Sequence, residues 1–291
     1  SNSQAAVRES TTTFHLSYIP VAVFVGGTSG VGQGMTEAFA RYVQGCAHII
    51  IVGRNARAAA DIITRFPKPD DGEWKHEFVS CEVDRMDNVR AACKIIREKV
   101  KYVNFLVITA GYSTMVNNAL ARDGLDLLLA MRCVLPALQE LLPLIQKAQE
   151  LAQDAKVISM LSGGMSRPID LANLGNTVKP RNGRFRVSLR GMIMSSYYTD
   201  AMLAHFAAES PGIAFTHIRL GVVKTSALRV EFDGLLLSWL LTWISWRMAV
   251  SQMRCRMNPR SSDKCAEHML YTLFTGERGL FIRNRYGDVI S

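Results

Sequence analysis

The chain alternates between short apolar-rich runs and longer stretches in which apolar residues return every three or four positions. Runs at 21–25, 47–52, 77–83, 105–109, 157–160 and 214–220 are too short for stable helices. Most of them lack a polar-apolar alternation, which predicts strands buried on both faces. The helical period occupies 34–43, 56–66, 88–100, 125–149 and 192–208. Strands that alternate with helices predict an α/β fold with a doubly wound parallel sheet covered on both sides. No Pro/Gly/Ser-rich linker divides the chain, so one domain over 20–291 is expected, preceded by a polar extension over 1–19. Residues 231–257 are helical in composition, with Trp239, Trp243 and Trp246 on one face. Such a stripe serves as core, as a subunit contact or as a substrate lid, here placed at 226–260.

Composition narrows the class. Of 291 residues, 48% are hydrophobic and 20% charged, which argues for a packed globule and against long disorder. The net charge of +9 raises nucleic-acid binding, but the basic residues are spread along the chain and no nucleic-acid partner is expected. Their densest cluster, Lys179, Arg181, Arg184, Arg186 and Arg190, reads as a solvated loop. No membrane span is expected either: the uncharged run 234–246 falls short of the roughly 20 residues a bilayer requires. Residues 1–15 hold no apolar stretch of signal-peptide length, which points to a cytoplasmic protein. The six cysteines form no CxxC pair and have no histidine at zinc-ligand spacing. They are expected to be buried free thiols, and no metal is expected.

The informative chemistry begins after the first apolar run, where Gly26-Gly27-Thr28-Ser29-Gly30-Val31-Gly32 leads into a helical pattern. In this context Gly26 permits the sharp turn out of the strand, Gly30 lets backbone approach a pyrophosphate, and Gly32 lets the helix pack closely on the sheet. Thr28 and Ser29 add hydroxyl donors, or are simply turn residues. The second strand ends in Gly53-Arg54-Asn55. An acid there would bind the ribose 2′-hydroxyl of NAD and repel a 2′-phosphate. Arg54 instead offers a permanently charged planar donor, so NADP(H) is the expected cofactor.

The spacing Gly26-x-x-x-Gly30-x-Gly32 resembles the TGxxxGxG turn of short-chain dehydrogenases/reductases, with Val25 where that family usually has Thr. Further segments resemble the family in the right order. Cys81-Glu82-Val83 resembles the acidic residue that holds the adenine. Ile108-Thr109-Ala110-Gly111 resembles NNAG, and Leu220-Gly221 through Val223 to Thr225 resembles the segment bordering the nicotinamide. The resemblance covers about 21–225 and implies a Rossmann-type NADP(H) domain whose cofactor residues include Val31, Asn55, Glu82, Val83, Ala110, Gly111, Gly221, Val223 and Thr225. It also implies a homodimer packed through 125–149 as one family arrangement.

The family's proton relay is only partly present. Ser162 matches the family Ser, whereas Ala130 stands at the Asn position. Between Ser162 and Gly221 no tyrosine has a lysine four residues later: Tyr197 is followed by Ala201 and Tyr198 by Met202. The register places Val187 and Gly191 at the Tyr and Lys positions. A hydride acceptor that is already positive, such as an iminium, needs no proton delivered to oxygen. Arg132, in an otherwise apolar helical segment, and Asp170, shortly after Ser162, are candidates for a modified site. A carboxylate there could protonate or orient a basic substrate with Arg132 as its counter-ion, or the two could merely pin a loop to a helix. The combination is similar to a divergent fungal branch of the family that includes the NADPH-dependent reductase/Diels-Alderases of bridged indole alkaloid biosynthesis. That resemblance implies secondary metabolism and an apolar polycyclic substrate. Three functions stay open: an NADPH-dependent reductase that also steers a cyclisation, a non-redox isomerase or cyclase that retains NADP(H) as a structural element, and a catalytically inactive binding protein.

Overall fold

The computed structural model describes residues 16–70, 72, 74–83, 85–110, 134–160, 163–164, 169, 184–220 and 262–290. Seven parallel strands make one sheet: β1 (Val21–Val25), β2 (His48–Gly53), β3 (Lys75–Ser80), β4 (Phe105–Ile108), β5 (Lys156–Ser159), β6 (Ala214–Arg219) and β7 (Gly279–Asn284). Their order is β3-β2-β1-β4-β5-β6-β7. The direction of winding therefore reverses between β1 and β4, which is where open α/β sheets bind ligands at the strands' carboxyl ends. The described helices are α1 (Gly30–Tyr42), α2 (Ala56–Thr64), α3 (Met86–Lys99), α4 (Val134–Glu150), α5 (Arg184–Glu209) and α6 (Ser262–Phe274).

Strand alternation sorts the core into two layers. Val23, Leu106, Ile108, Val157 and Phe215 face α3, α4 and α5. Phe24, Phe105, Val107 and Ile158 face α1, α2 and α6. In the second layer Phe39 of α1 contacts Phe24, Phe105 and Phe274, with ring centroids 5.6, 5.5 and 5.8 Å away. The contacts with Phe24 and Phe105 are edge-to-face, a geometry that adds to the area the rings bury.

Several expected boundaries move. The first helix starts at Gly30, not 34, because the glycine turn itself supplies the first helical turn. The third strand ends at Ser80 and not 83; residues 81–83 continue past the ladder. The fifth helix begins at Arg184 and not 192, and the part of the 125–149 helix before 134 lies outside the described residues, as does 226–260. Helix α6 and strand β7 were not anticipated at all. Cys81, Cys93 and Cys265 are buried thiols that form no disulfide, as expected, but Cys46 is exposed; Cys133 and Cys255 lie outside the described residues.

At the amino edge of the sheet a buried amide ties three segments together. Asn104 accepts from Val21 N at 2.9 Å and donates to Gln153 Oε1 and Asp154 O, both at 3.0 Å. Truncation strands the Val21 N–H and the Asp154 carbonyl, so Asn104→Ala is expected to cost about 2–4 kcal/mol in urea denaturation. An unchanged midpoint would show that water repairs both.

Glu77 on β3 lies beside His48, Lys75 and Lys99. Burial would raise its carboxyl pKa, but hydrogen bonds from Lys99, His48 and Lys75 outweigh that and hold it at about 2. Burial also lowers the pKa of His48, so at neutral pH the imidazole donates to Glu77 as a neutral ring. A carboxylate depressed in the fold stabilises it above the unfolded pKa, and that stability is lost as pH falls through the folded value. Stability is therefore expected to decline between pH about 4.5 and about 2, with a shallower acid limb in Glu77→Gln. Identical acid limbs in pH-dependent melts would remove Glu77 from the account.

Candidate functional site

Four strand ends meet at the reversal of winding, and hydrogen bonds between successive loops hold them in line. Gly26 N donates to Val52 O at 2.8 Å, Cys81 N to Gly53 O at 2.8 Å, and Thr109 N and Ala110 N to Val25 O at 2.9 and 3.1 Å. The glycine turn, the end of β2, the segment after β3 and the start of the loop after β4 thus form one edge. Of the cofactor residues expected from sequence, Gly26, Thr28, Ser29, Gly30, Val31, Gly32, Arg54, Asn55, Glu82, Val83 and Ala110 lie along it. Gly111, Gly221, Val223 and Thr225 lie outside the described residues, as do Arg132, Ser162 and Asp170.

The turn is built for close backbone approach. Gly26 has φ +90° and Gly30 φ +59°, a region that side chains with a Cβ seldom enter. Gly32 is needed for packing: a Cβ there would stand 2.3 Å from both Gly26 O and Thr109 Oγ1. Thr109 in turn donates its hydroxyl to Val25 O at 3.0 Å, so it fixes β1 to β4 directly beneath the turn. This residue was not among the expected site residues, although it stands inside the Ile108–Gly111 resemblance. Thr28 lies over Gly53, where a Cβ would come within 3.0 Å of its Oγ1. That contact sets the turn beside Arg54.

Electrostatics at this edge favour an anion. Ser29 caps α1 with extended backbone but without a side-chain hydrogen bond, and the first turn carries no acid. The helix therefore presents its positive end without an internal counter-charge. Arg54 is exposed and forms no ion pair with another described residue. Asn55 does structural work, since its side chain accepts from Ala58 N at 3.0 Å and caps α2. Glu82 is exposed and Val83 buried beside it.

A second polar group stands where β5 and β6 end. Ser159 and His217 are register partners on adjacent strands; both are fully buried, and Ser159 Oγ and His217 Nε2 have no hydrogen-bond partner among the described residues. His217 Nδ1 lies 2.5 Å from Asp200 Oδ1. Sequence reasoning missed this pair because its members are isolated polar residues on a helix and a strand. Among the described residues no group of His, Cys, Asp or Glu could hold a metal ion, and no helix is long and apolar enough to cross a membrane.

Residues 20–159 match the family model described as short chain dehydrogenase. Among curated proteins, an oxidoreductase of Emericella variicolor is 32% identical over 77% of this chain and 64% of its own length. An oxidoreductase of Emericella nidulans is 30% identical over 73% of this chain and 61% of its own. The chain thus spans less than two thirds of the length of these relatives. Among solved structures, the 3-ketoacyl-(acyl-carrier-protein) reductase of Brucella melitensis complexed with NADH superposes with a TM-score of 0.64 at 18% identity. That match covers 92% of this chain and 97% of the reductase. At that identity the likeness speaks to the fold alone. By sequence, residues 20–159 resemble the short chain dehydrogenase family, and the fold of the whole sheet is that of the superposed reductase.

Proposed function

We propose that the protein is an NADP(H)-dependent oxidoreductase that acts on an apolar, polycyclic and already activated acceptor such as an iminium. The observation that carries this reading is an α1 N-terminus behind a glycine turn, without a side-chain cap, set beside Arg54, which pairs with no described residue at the end of β2, where the sequence places no acid to oppose a phosphate. These residues fit a phosphorylated dinucleotide. The first turn of α1, with Thr28, Ser29 and Val31, would take the diphosphate. Arg54 would take the ribose 2′-phosphate, with Asn55 beside it. Glu82, Val83, Ala110 and Gly111 would border the adenine side, and Gly221, Val223 and Thr225 the nicotinamide side. When bound, the cofactor supplies the hydride.

The chain's own residues then have to bind, orient and exclude water. The sequence offers Ser162 to polarise the acceptor, Asp170 to hold or protonate a basic nitrogen, and Arg132 as counter-ion to Asp170. It offers no Tyr-x-x-x-Lys pair at the end of the relay, which favours an acceptor that needs no proton on oxygen. The same gap favours a second reading, in which NADP(H) is retained without net redox change and the pocket promotes a cyclisation such as a Diels–Alder reaction. In both readings the apolar residues of 226–260 would wall the substrate.

Incubation with 4-deuterated NADPH and cyclic iminium substrates separates the two. Deuterium at the former iminium carbon is expected. Product formation without deuterium and without change in nicotinamide absorbance would transfer the assignment to the non-redox cyclase.

A further inference from the structure

Two glycines beyond the carboxyl end of β5 are held more tightly than an ordinary turn. Gly163 N donates to Ile218 O at 3.2 Å, and Gly163 O accepts from Arg219 Nε at 2.9 Å. Gly164 N donates to Asp200 Oδ2 at 3.1 Å, and Gly164 O accepts from Arg219 Nη2. All four backbone polar groups of the pair are thus satisfied from α5 and β6. Asp200 is itself held by His217, whose Nδ1 lies 2.5 Å from Oδ1. A carboxylate can only accept, so Nδ1 carries the hydrogen.

The glycines are matched to these partners. A Cβ on Gly163 would lie 2.8 Å from His217 Cγ, and one on Gly164, at φ +73°, would lie 2.9 Å from Arg219 Nη2. Placing a carboxylate and an imidazole inside the fold is costly, and apolar residues would fill the same space at lower cost. The geometry concentrates that cost on one dipeptide, and the preceding residue in the chain is Ser162.

We propose that Asp200, His217 and Arg219 are positioning residues that fix the Gly163–Gly164 backbone, which directly follows Ser162 in the chain. The turn-fixing part stands independently of the reaction, while its effect on turnover rests on the oxidoreductase reading.

The test uses the full chain and compares wild type with Asp200→Ala and Asp200→Asn. In Asp200→Ala, hydrogen exchange at the Gly164 amide is expected to rise by about tenfold or more. Exchange in β1 and β4 should stay unchanged, as should NADPH affinity. Deuteride transfer from labelled NADPH should fall in kcat with KM for NADPH unaltered. Asp200→Asn keeps an acceptor oxygen for Gly164 and is expected to recover most of both effects. Unchanged exchange at Gly164, a rise spread over the whole sheet, or no difference between the two variants would each overturn the proposal. Failure of the wild type to transfer deuteride at all would count against the oxidoreductase reading, and the exchange measurements would still decide the positioning role.

Discussion

A Gly32→Ala variant is expected to lose NADPH binding by about a hundredfold or more, equivalent to roughly 3 kcal/mol, while still folding. The new methyl would meet Gly26 O and Thr109 Oγ1 at 2.3 Å. Neither can swing aside: the first is main chain, and the second is tied to Val25 O. Overpacking in a well-filled site typically costs about 1–3 kcal/mol. A domain with about 5–15 kcal/mol of stability survives that. The helix must then retreat from the turn, which withdraws its N-terminus from any diphosphate. Ser29→Ala is the control: without a capping hydrogen bond to lose, its melting temperature should match wild type. Fluorescence titration with NADPH and thermal melts of both variants provide the check, and full affinity in Gly32→Ala would mean that the diphosphate is held elsewhere.

The second large effect concerns cofactor choice. Arg54→Asp is expected to weaken NADPH by about 10- to 150-fold, the range for one charge-assisted hydrogen bond. It should leave NADH affinity equal or improved, because an acid at the end of β2 suits the ribose 2′-hydroxyl. Since Arg54 is exposed, its contribution is screened, and the NADPH advantage of the wild type should shrink as ionic strength rises. Equal binding of NADH and NADPH by the wild type would remove Arg54 from the selectivity account.

How much of this was legible before the fold was known depends on where each residue sits. Strands β1, β4 and β5 are buried on both faces, so their apolar runs stand out in the sequence and were located to within a residue or so. Strand β3 is an edge with one fully buried residue, Val79, and its reading slid toward the residues that follow. Strand β7, the opposite edge, carries an intermediate burial at every position and gave no contrast to detect. Helix α6 buries Glu267 and His268, polar residues that blur its apolar stripe. Glu267 is buried there because Tyr42 and Arg41 of α1 donate to it, a partnership that only the fold creates.

The candidate site divides along the same line. The glycine turn is contiguous, its spacing follows from local geometry, and the residues named for it lie along one edge. Thr109 was overlooked because its role, bracing Gly32 from a neighbouring strand, is not local. Asp200 and His217 are separated in the chain and meet only across α5 and β6. No spacing rule joins a helix residue to a strand residue of that kind.

The position of α6 has a consequence for biosynthesis. Phe274, at the end of this last helix, closes against Phe39 and Phe105, yet it is added long after the glycine turn has left the ribosome. A nascent chain that stops short of residue 262 has every strand from β1 to β6, but one flank of α1 stays wet. Such a chain would expose aromatic surface worth about 1.5–3 kcal/mol per ring. Burial of this aromatic face is thereby deferred until α6 has been made, and chains ended before residue 262 become targets for chaperones and proteases.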